Sequence, residues 1–293
     1  MSLSALLIVL LAAVFHATWN FLIKKLDGGP ELIWLFSVVS VIIYSPALLY
    51  LLLTVDMKLG ATEIIFMLGS GVLHLSYFLL LQIGYRHGEL SLVYPVARAT
   101  GPLIAILFAV IVLGEDLSWQ VMVGGLCIIV GVLLLTGGLG SKQRNSAEQT
   151  AKKKTPSLLF GLGTGILIGC YTVWDAYAVS MILISPLVLD YFANFSRSVV
   201  LAPYSLNRIS AVKSLWKNHP RAILTIALLS PLAYILILYV YTYTPVIYVA
   251  PVREVSVLFT VLLGAILLKE SEVISRLTWG MLIVVGIGLL VTG

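Results

Sequence analysis

The stretch VIYVAPVREVSVL, residues 246–258, sets an arginine beside a glutamate inside an apolar run from Val246 to Leu268. Shifted back by 155 residues, it lies on SLVYPVARATGPL, residues 91–103, with Arg253 on Arg98. The same shift lays YTVWD (171–175) on HATWN (16–20), matching Trp174 with Trp19 and Asp175 with Asn20. It also lays LKE (268–270) on LGE (113–115), and Gly280 and Gly286 on Gly125 and Gly131. Chance supplies one such match but hardly a set at one offset, so the chain reads as an internal duplication.

Composition says what kind of chain was duplicated. It has 293 residues, 60% hydrophobic and 11% charged, where a soluble domain carries about 25% charged residues. The apolar residues come in blocks long enough to cross a bilayer as helices, which needs roughly 20 residues each. Ten blocks are read: 3–23, 32–53, 62–83, 91–113, 119–137, 158–180, 186–205, 222–241, 246–268 and 277–292. The expected fold is therefore an all-α membrane protein of ten transmembrane helices. A first repeat spans 1–138, a polar linker 139–157 and a second repeat 158–293. With five helices in each half, the second half enters from the opposite side, which makes the halves inverted-topology repeats. The opening apolar run has no positively charged lead and no cleavage-like site before His16, so it reads as a retained span.

Fourteen of the Lys and Arg residues fall in the odd-numbered connections and Lys58 alone in the even ones. Basic loops stay on the cytoplasmic side, so both termini are expected to face outward from a cytoplasmic (inner) membrane crossed many times. The basic residues are scattered, which argues against a nucleic-acid partner. Cys127 and Cys170 lie within apolar blocks with no metal or disulfide spacing, and the four histidines are dispersed, so no metal is expected. No phosphate loop, HExxH or nucleophile elbow occurs, and neither a cofactor nor an enzymatic activity is expected.

PLIAILFAVIVLGE, residues 102–115, followed by a short polar turn and a glycine-spaced helix, resembles the end of the EamA repeat of the drug/metabolite transporter superfamily. The Trp19–Asn20 pair is similar to the end of that family's first helix. The resemblance covers both halves and is better in the first, since Val257 stands where the family's proline would be in the second. It implies a ten-helix carrier of small metabolites, often an exporter of amino acids or related compounds.

Polar residues inside the apolar blocks are the candidate substrate contacts, because lipid tolerates them poorly. His16, Trp19 and Asn20 share one face of the first helix, and Tyr171, Trp174 and Asp175 one face of the sixth. The two tryptophans read equally well as interfacial belt residues. Tyr94 and Arg98 are four apart on the fourth helix, with Pro95 and Pro102 around them. Arg98 and Arg253 suit a substrate anion, or else tie down a helix break by pairing with Glu254 or Asp175. The seventh helix carries Asp190, Asn194 and Arg197 on one face where its counterpart is apolar, so it is expected to line a cavity. His74 and Tyr77 interrupt the third helix, and Tyr234 lies on the eighth. Such rings around Asp175 suit a cationic or aromatic ligand. Gly161, Gly165 and Gly169 form a close-packing stripe. Glu115 and Glu270 end their helices at the surface and read as turn-fixing or gating residues.

The expected function is secondary active transport of a small polar metabolite by alternating access, the two halves rocking about a midplane site. Acid and base on facing helices suit an amino acid or related zwitterion, with a quaternary-amine or other cationic compound as the alternative. A charge held in apolar surroundings is costly, which makes Asp175 and Glu254 the candidates for coupling to protons. Glu254 has no counterpart in the first half, where Ala99 stands, and is the sharper candidate for what is particular to this chain. A channel or an intramembrane lipid-handling protein is the alternative of another class. Because the duplication supplies both halves, a monomer suffices.

Overall fold

The computed structural model describes residues 1–26, 28–55, 60–87, 90–135, 147–259 and 273–293. Helices dominate them: α1 (Leu3–Leu26), α2 (Pro30–Thr54), α3 (Ala61–His87), α4 (Leu90–Phe108), α5 (Trp119–Leu135), α6 (Ala147–Ser180), α7 (Pro186–Leu206), α8 (Ile209–Asn218), α9 (Pro220–Tyr241), α10 (Val246–Arg253) and α11 (Val273–Thr292). Among the described residues six helical stretches are long and apolar enough to cross a membrane, within α1, α2, α3, α4 with its extension, α6 and α9. Shorter apolar stretches lie in α5 and α11.

Several boundaries differ from the sequence expectation. α6 starts at Ala147, inside the stretch expected as linker, while residues 139–146 lie outside the described part. The connection after α7 is not a plain loop, because α8 occupies it with Val212 buried and Lys213, Trp216 and Lys217 exposed. α4 runs unbroken through Pro102 and then widens into a π-helical turn, Ala109–Leu113, closed by Gly114 at φ 67°. The ninth block behaves otherwise. α10 stops at Arg253, Glu254 forms a turn, and helix resumes at 255–259. Residues 260–268 of that block, and the LKE segment with Glu270, lie outside the described residues.

Helices pack mainly with partners from the other half. α1 runs along α9, α3 along α6, α2 against α7, α4 against α6, and α5 against α11. The glycine stripe of α6 explains its closeness to α4. A Cβ on Gly161 would meet Val96 at 2.8 Å, on Gly165 Thr100 at 2.5 Å, and on Gly169 Ile104 at 2.4 Å. Those three α4 residues are themselves four apart, so one helix's ridge enters the other's groove. α5 and α11 meet in the same way. A Cβ on Gly131 would strike Ile283 and one on Gly286 would strike Ile128, at 2.6 and 2.7 Å.

Interior prolines free backbone carbonyls, which need new donors in an apolar setting. Pro231 removes the N–H that Ala227 would bond. Ser40 Oγ of α2 donates to the Ala227 carbonyl at 2.8 Å, and Tyr44 Oη donates to the neighbouring Leu228 carbonyl at 2.7 Å. Pro46 is repaired locally, its freed Ile42 carbonyl accepting from Ser45 Oγ at 2.9 Å. Trp34 Nε1 donates to the Ser198 carbonyl, adding a further tie between α2 and α7.

Candidate functional site

α1, α3, α4, α6, α9 and α10 bring their polar side chains to one buried region. Two clusters make it up. In the first, Arg98 of α4 lies between His16 of α1 and Glu254 at the α10 break. One guanidinium nitrogen is 2.9 Å from His16 Nε2, and the other is 3.4 and 3.5 Å from the two carboxylate oxygens. Arginine only donates, so His16 Nε2 is the acceptor and the imidazole is neutral with its proton on Nδ1. Glu254 is 1% exposed, and the Arg98 guanidinium also lies 5.5 Å from the Tyr94 ring centre. The ion pair is longer than the 2.7–2.9 Å of a tight charge-assisted bond.

The second cluster surrounds Asp175, which is fully buried. Tyr234 Oη donates to its Oδ2 at 2.5 Å, and His74 Nδ1 lies 3.8 Å from the same oxygen. His74 Nδ1 also lies 2.9 Å from the Ser70 carbonyl, a geometry that suits donation and fixes the ring one turn along α3. Asp175 Oδ1 has no hydrogen-bond partner among the described residues. The His74 ring stacks on Tyr171 at 4.2 Å and meets Tyr234 at 5.3 Å and Tyr77 at 6.1 Å. Tyr77 and Tyr171 are 5.2 Å apart. The rings thus gather around His74, which with Tyr234 borders the carboxylate.

Tyr171 joins the clusters. Its hydroxyl accepts from Arg253 at 3.5 Å, the only hydrogen bond of that guanidinium among the described residues, and its ring lies 5.9 Å from the same group. The i, i+4 spacing of Tyr171 and Asp175 puts both on one face of α6, where the tyrosine meets the arginine. Arg253 can face inward because α10 ends at it.

Of the residues singled out from the sequence, His16, His74, Tyr77, Tyr94, Arg98, Asp175, Tyr234, Arg253 and Glu254 come together here. The others are placed elsewhere. Trp174 donates its Nε1 proton to the Phe66 carbonyl at 2.9 Å and fills the space beside Gly69, so it is a packing residue between α3 and α6. Trp19 stands edge-on to His16 at 4.9 Å with its N–H unpartnered among the described residues. Asn20 bonds back to the His16 carbonyl within α1. Asn194 is buried and donates to both the carbonyl and the carboxylate of Asp190. With Ser40, Tyr44 and Pro231 they line a crevice with no room for a water molecule, not the open cavity expected of α7. Arg197 makes no ion pair within 4 Å among the described residues.

Ser70 was not singled out from the sequence; Tyr171 was, on the same face as Asp175. The spacing of Tyr171 to Asp175 was the available signal; nothing in the sequence pointed to Ser70. Just past the π-helical turn that follows α4, Glu115 accepts from the backbone N–H groups of Val246 and Ile247 at 2.8 and 2.9 Å. Burial pushes its carboxyl above the usual range, against the pull of these two donors.

A sequence profile of the EamA-like transporter family matches residues 3–137. An uncharacterized protein of Methanocaldococcus jannaschii is 30% identical over 137 residues, which are 45% of this chain and 96% of that relative. The chain belongs to the EamA-like transporter family. This EamA-like protein is accordingly a multi-pass membrane protein of a transporter family within the drug/metabolite superfamily. A solved crystal structure matches its fold with a TM-score of 0.75 at 16% identity, over 99% of this chain and 96% of the other.

Proposed function

We propose that this EamA-like protein is a secondary transporter of a small zwitterion, an amino acid or a close relative of one, working by alternating access. One observation carries it. Two opposite charges lie close to Tyr171, and neither has a full set of partners among the described residues: the half-buried Arg253 has one long contact at 3.5 Å, and the buried Asp175 accepts from Tyr234 on Oδ2 but has no partner on Oδ1. A molecule bearing both a carboxylate and an ammonium group satisfies both at once, bidentate on Arg253 and ionic on Asp175. The rings of Tyr77, Tyr171 and Tyr234 favour the ammonium end. Arg98 is the poorer anion site, because Glu254 already balances it. By the same logic Asp175 is a better proton carrier than Glu254, since no arginine lies within 4 Å of it among the described residues.

The ten-span, inverted-repeat architecture belongs to this proposal, with both termini outward. Its support is the pairing of helices under the 155-residue shift. The α1–α9 contact exchanges with the α6–α3 contact, and Gly131 on Ile283 exchanges with Gly286 on Ile128. The half-length archaeal relative fits the same picture. Because the helices interleave across the halves, each moving body contains helices of both.

The rings alone would also suit a purely cationic ligand, which leaves Arg253 unmatched. A thermal-shift screen of purified protein separates the two, since a ligand of the native state raises its apparent stability. Amino acids are expected to stabilise, their carboxamides to lose most of the shift, and Arg253→Gln to abolish it. Stabilisation by amines and carboxamides alike would sink the zwitterion. Saturable counterflow in proteoliposomes distinguishes a carrier from a channel.

A further inference from the structure

We propose that Glu115 is a positioning residue for transport: its carboxylate clasps the amino end of α10, holds its own membrane face closed, and releases when that face opens. This rests on the alternating-access reading above. Gly114, in the left-handed conformation, reverses the chain after the π-helical turn and delivers Glu115 to α10. Each carboxylate oxygen takes one backbone N–H, Val246 on Oε1 and Ile247 on Oε2. These are orphan donors of the first helical turn, and the negative charge meets the positive end of the helix dipole.

The source of the cap is what singles it out. Helices are ordinarily capped by a neighbouring Ser, Thr, Asp or Asn. Here the N-cap residue is Pro245, which supplies no side-chain acceptor, and the acceptor comes from a residue 131 positions earlier. The cap therefore ties the end of the first half to the start of α10. At 1.5 Å per residue, the 8 residues of α10 span about 12 Å. Arg253 stands at the far end, and Glu254 breaks the helix just beyond it. A short rod, clasped at the surface and free of its continuation at the site, transmits motion between the two. Opening at the surface moves Arg253, and seating a substrate carboxylate on Arg253 pulls on the clasp.

The test uses the full chain in vesicles, with Cys127→Ser, Cys170→Ser and a reporter Ala250→Cys, which is 2% exposed on α10. The probe is a membrane-impermeant maleimide applied to either face. Glu115→Gln keeps the side chain's size but loses its charge and one acceptor. It is expected to raise labelling several-fold from the Glu115 face and to lower it from the opposite face. Adding Pro245→Ser supplies a local cap and separates the two roles. A clasp predicts that the serine restores thermal stability but leaves the labelling asymmetric. If the serine restores the labelling too, or if Glu115→Gln changes labelling equally on both faces, Glu115 is only a helix cap and the proposal falls. If the parent reporter already labels at the same rate from both faces, alternating access itself fails, and the clasp with it.

Discussion

Glu254 is buried against the partly buried Arg98, so each depends on the other for its charge. Taking one partner of a buried pair away leaves an uncompensated ion and costs about 3–5 kcal/mol. Glu254→Gln should therefore lower the melting temperature in detergent sharply. Replacing both, as Arg98→Met with Glu254→Leu, should recover most of the loss, because two apolar side chains need no partner. Asp175 differs in having only neutral donors and His74 around it. Asp175→Asn should abolish uptake driven by a proton gradient and weaken substrate counterflow as well, because it removes the charge that meets the ammonium group; unchanged coupling would remove Asp175 from the proton path. Tyr234→Phe takes away the 2.5 Å bond to that carboxylate. It should cost about 1–3 kcal/mol, read as an unfolding shift that Asp175→Asn largely cancels in the double variant.

Elements show where local sequence decides and where packing overrides it. Arg253–Glu254 after Pro251 looked like a helix break, and α10 does end there. Pro102 looked the same, yet α4 passes through it unbroken and yields only later, in the π-helical turn. α6 packs along α4 through the glycine stripe, which holds that region of α4 in line. Such support is long-range and invisible in a single segment. The surroundings of Trp174 were hidden for a related reason. Its alignment with Trp19 suggested a shared role, but Gly69 opens a slot on α3 that only Trp174 fills. Gly165→Leu should test the stripe directly. The added side chain meets Thr100 at once, so overpacking should cost about 1–3 kcal/mol, measured by thermal unfolding. An unchanged melting temperature would mean that α4 and α6 separate freely.

At the scale of the molecule, the proposed duplication rests on chemistry-bearing residues that recur at one offset. The pairing of helices across the halves was not legible there, since a repeat says what is alike and not what touches. If the halves are related by a two-fold, related positions should respond alike. Gly131→Val and Gly286→Val should thus lower the melting temperature by similar amounts, and a large disparity would speak against the symmetry. Pro231 has a consequence of a different kind. The Ala227 carbonyl that it frees accepts from Ser40, 187 positions away in the chain, and the neighbouring Leu228 carbonyl accepts from Tyr44, 184 positions away. A proline site mended by another helix cannot move away alone, because separation would strand donors and acceptors in apolar surroundings. α2 and α9 should therefore exchange their amide protons for deuterium as one cooperative block. Ser40→Ala with Tyr44→Phe would split that block, hastening exchange around the Pro231 turn while α2 keeps its own slow rate.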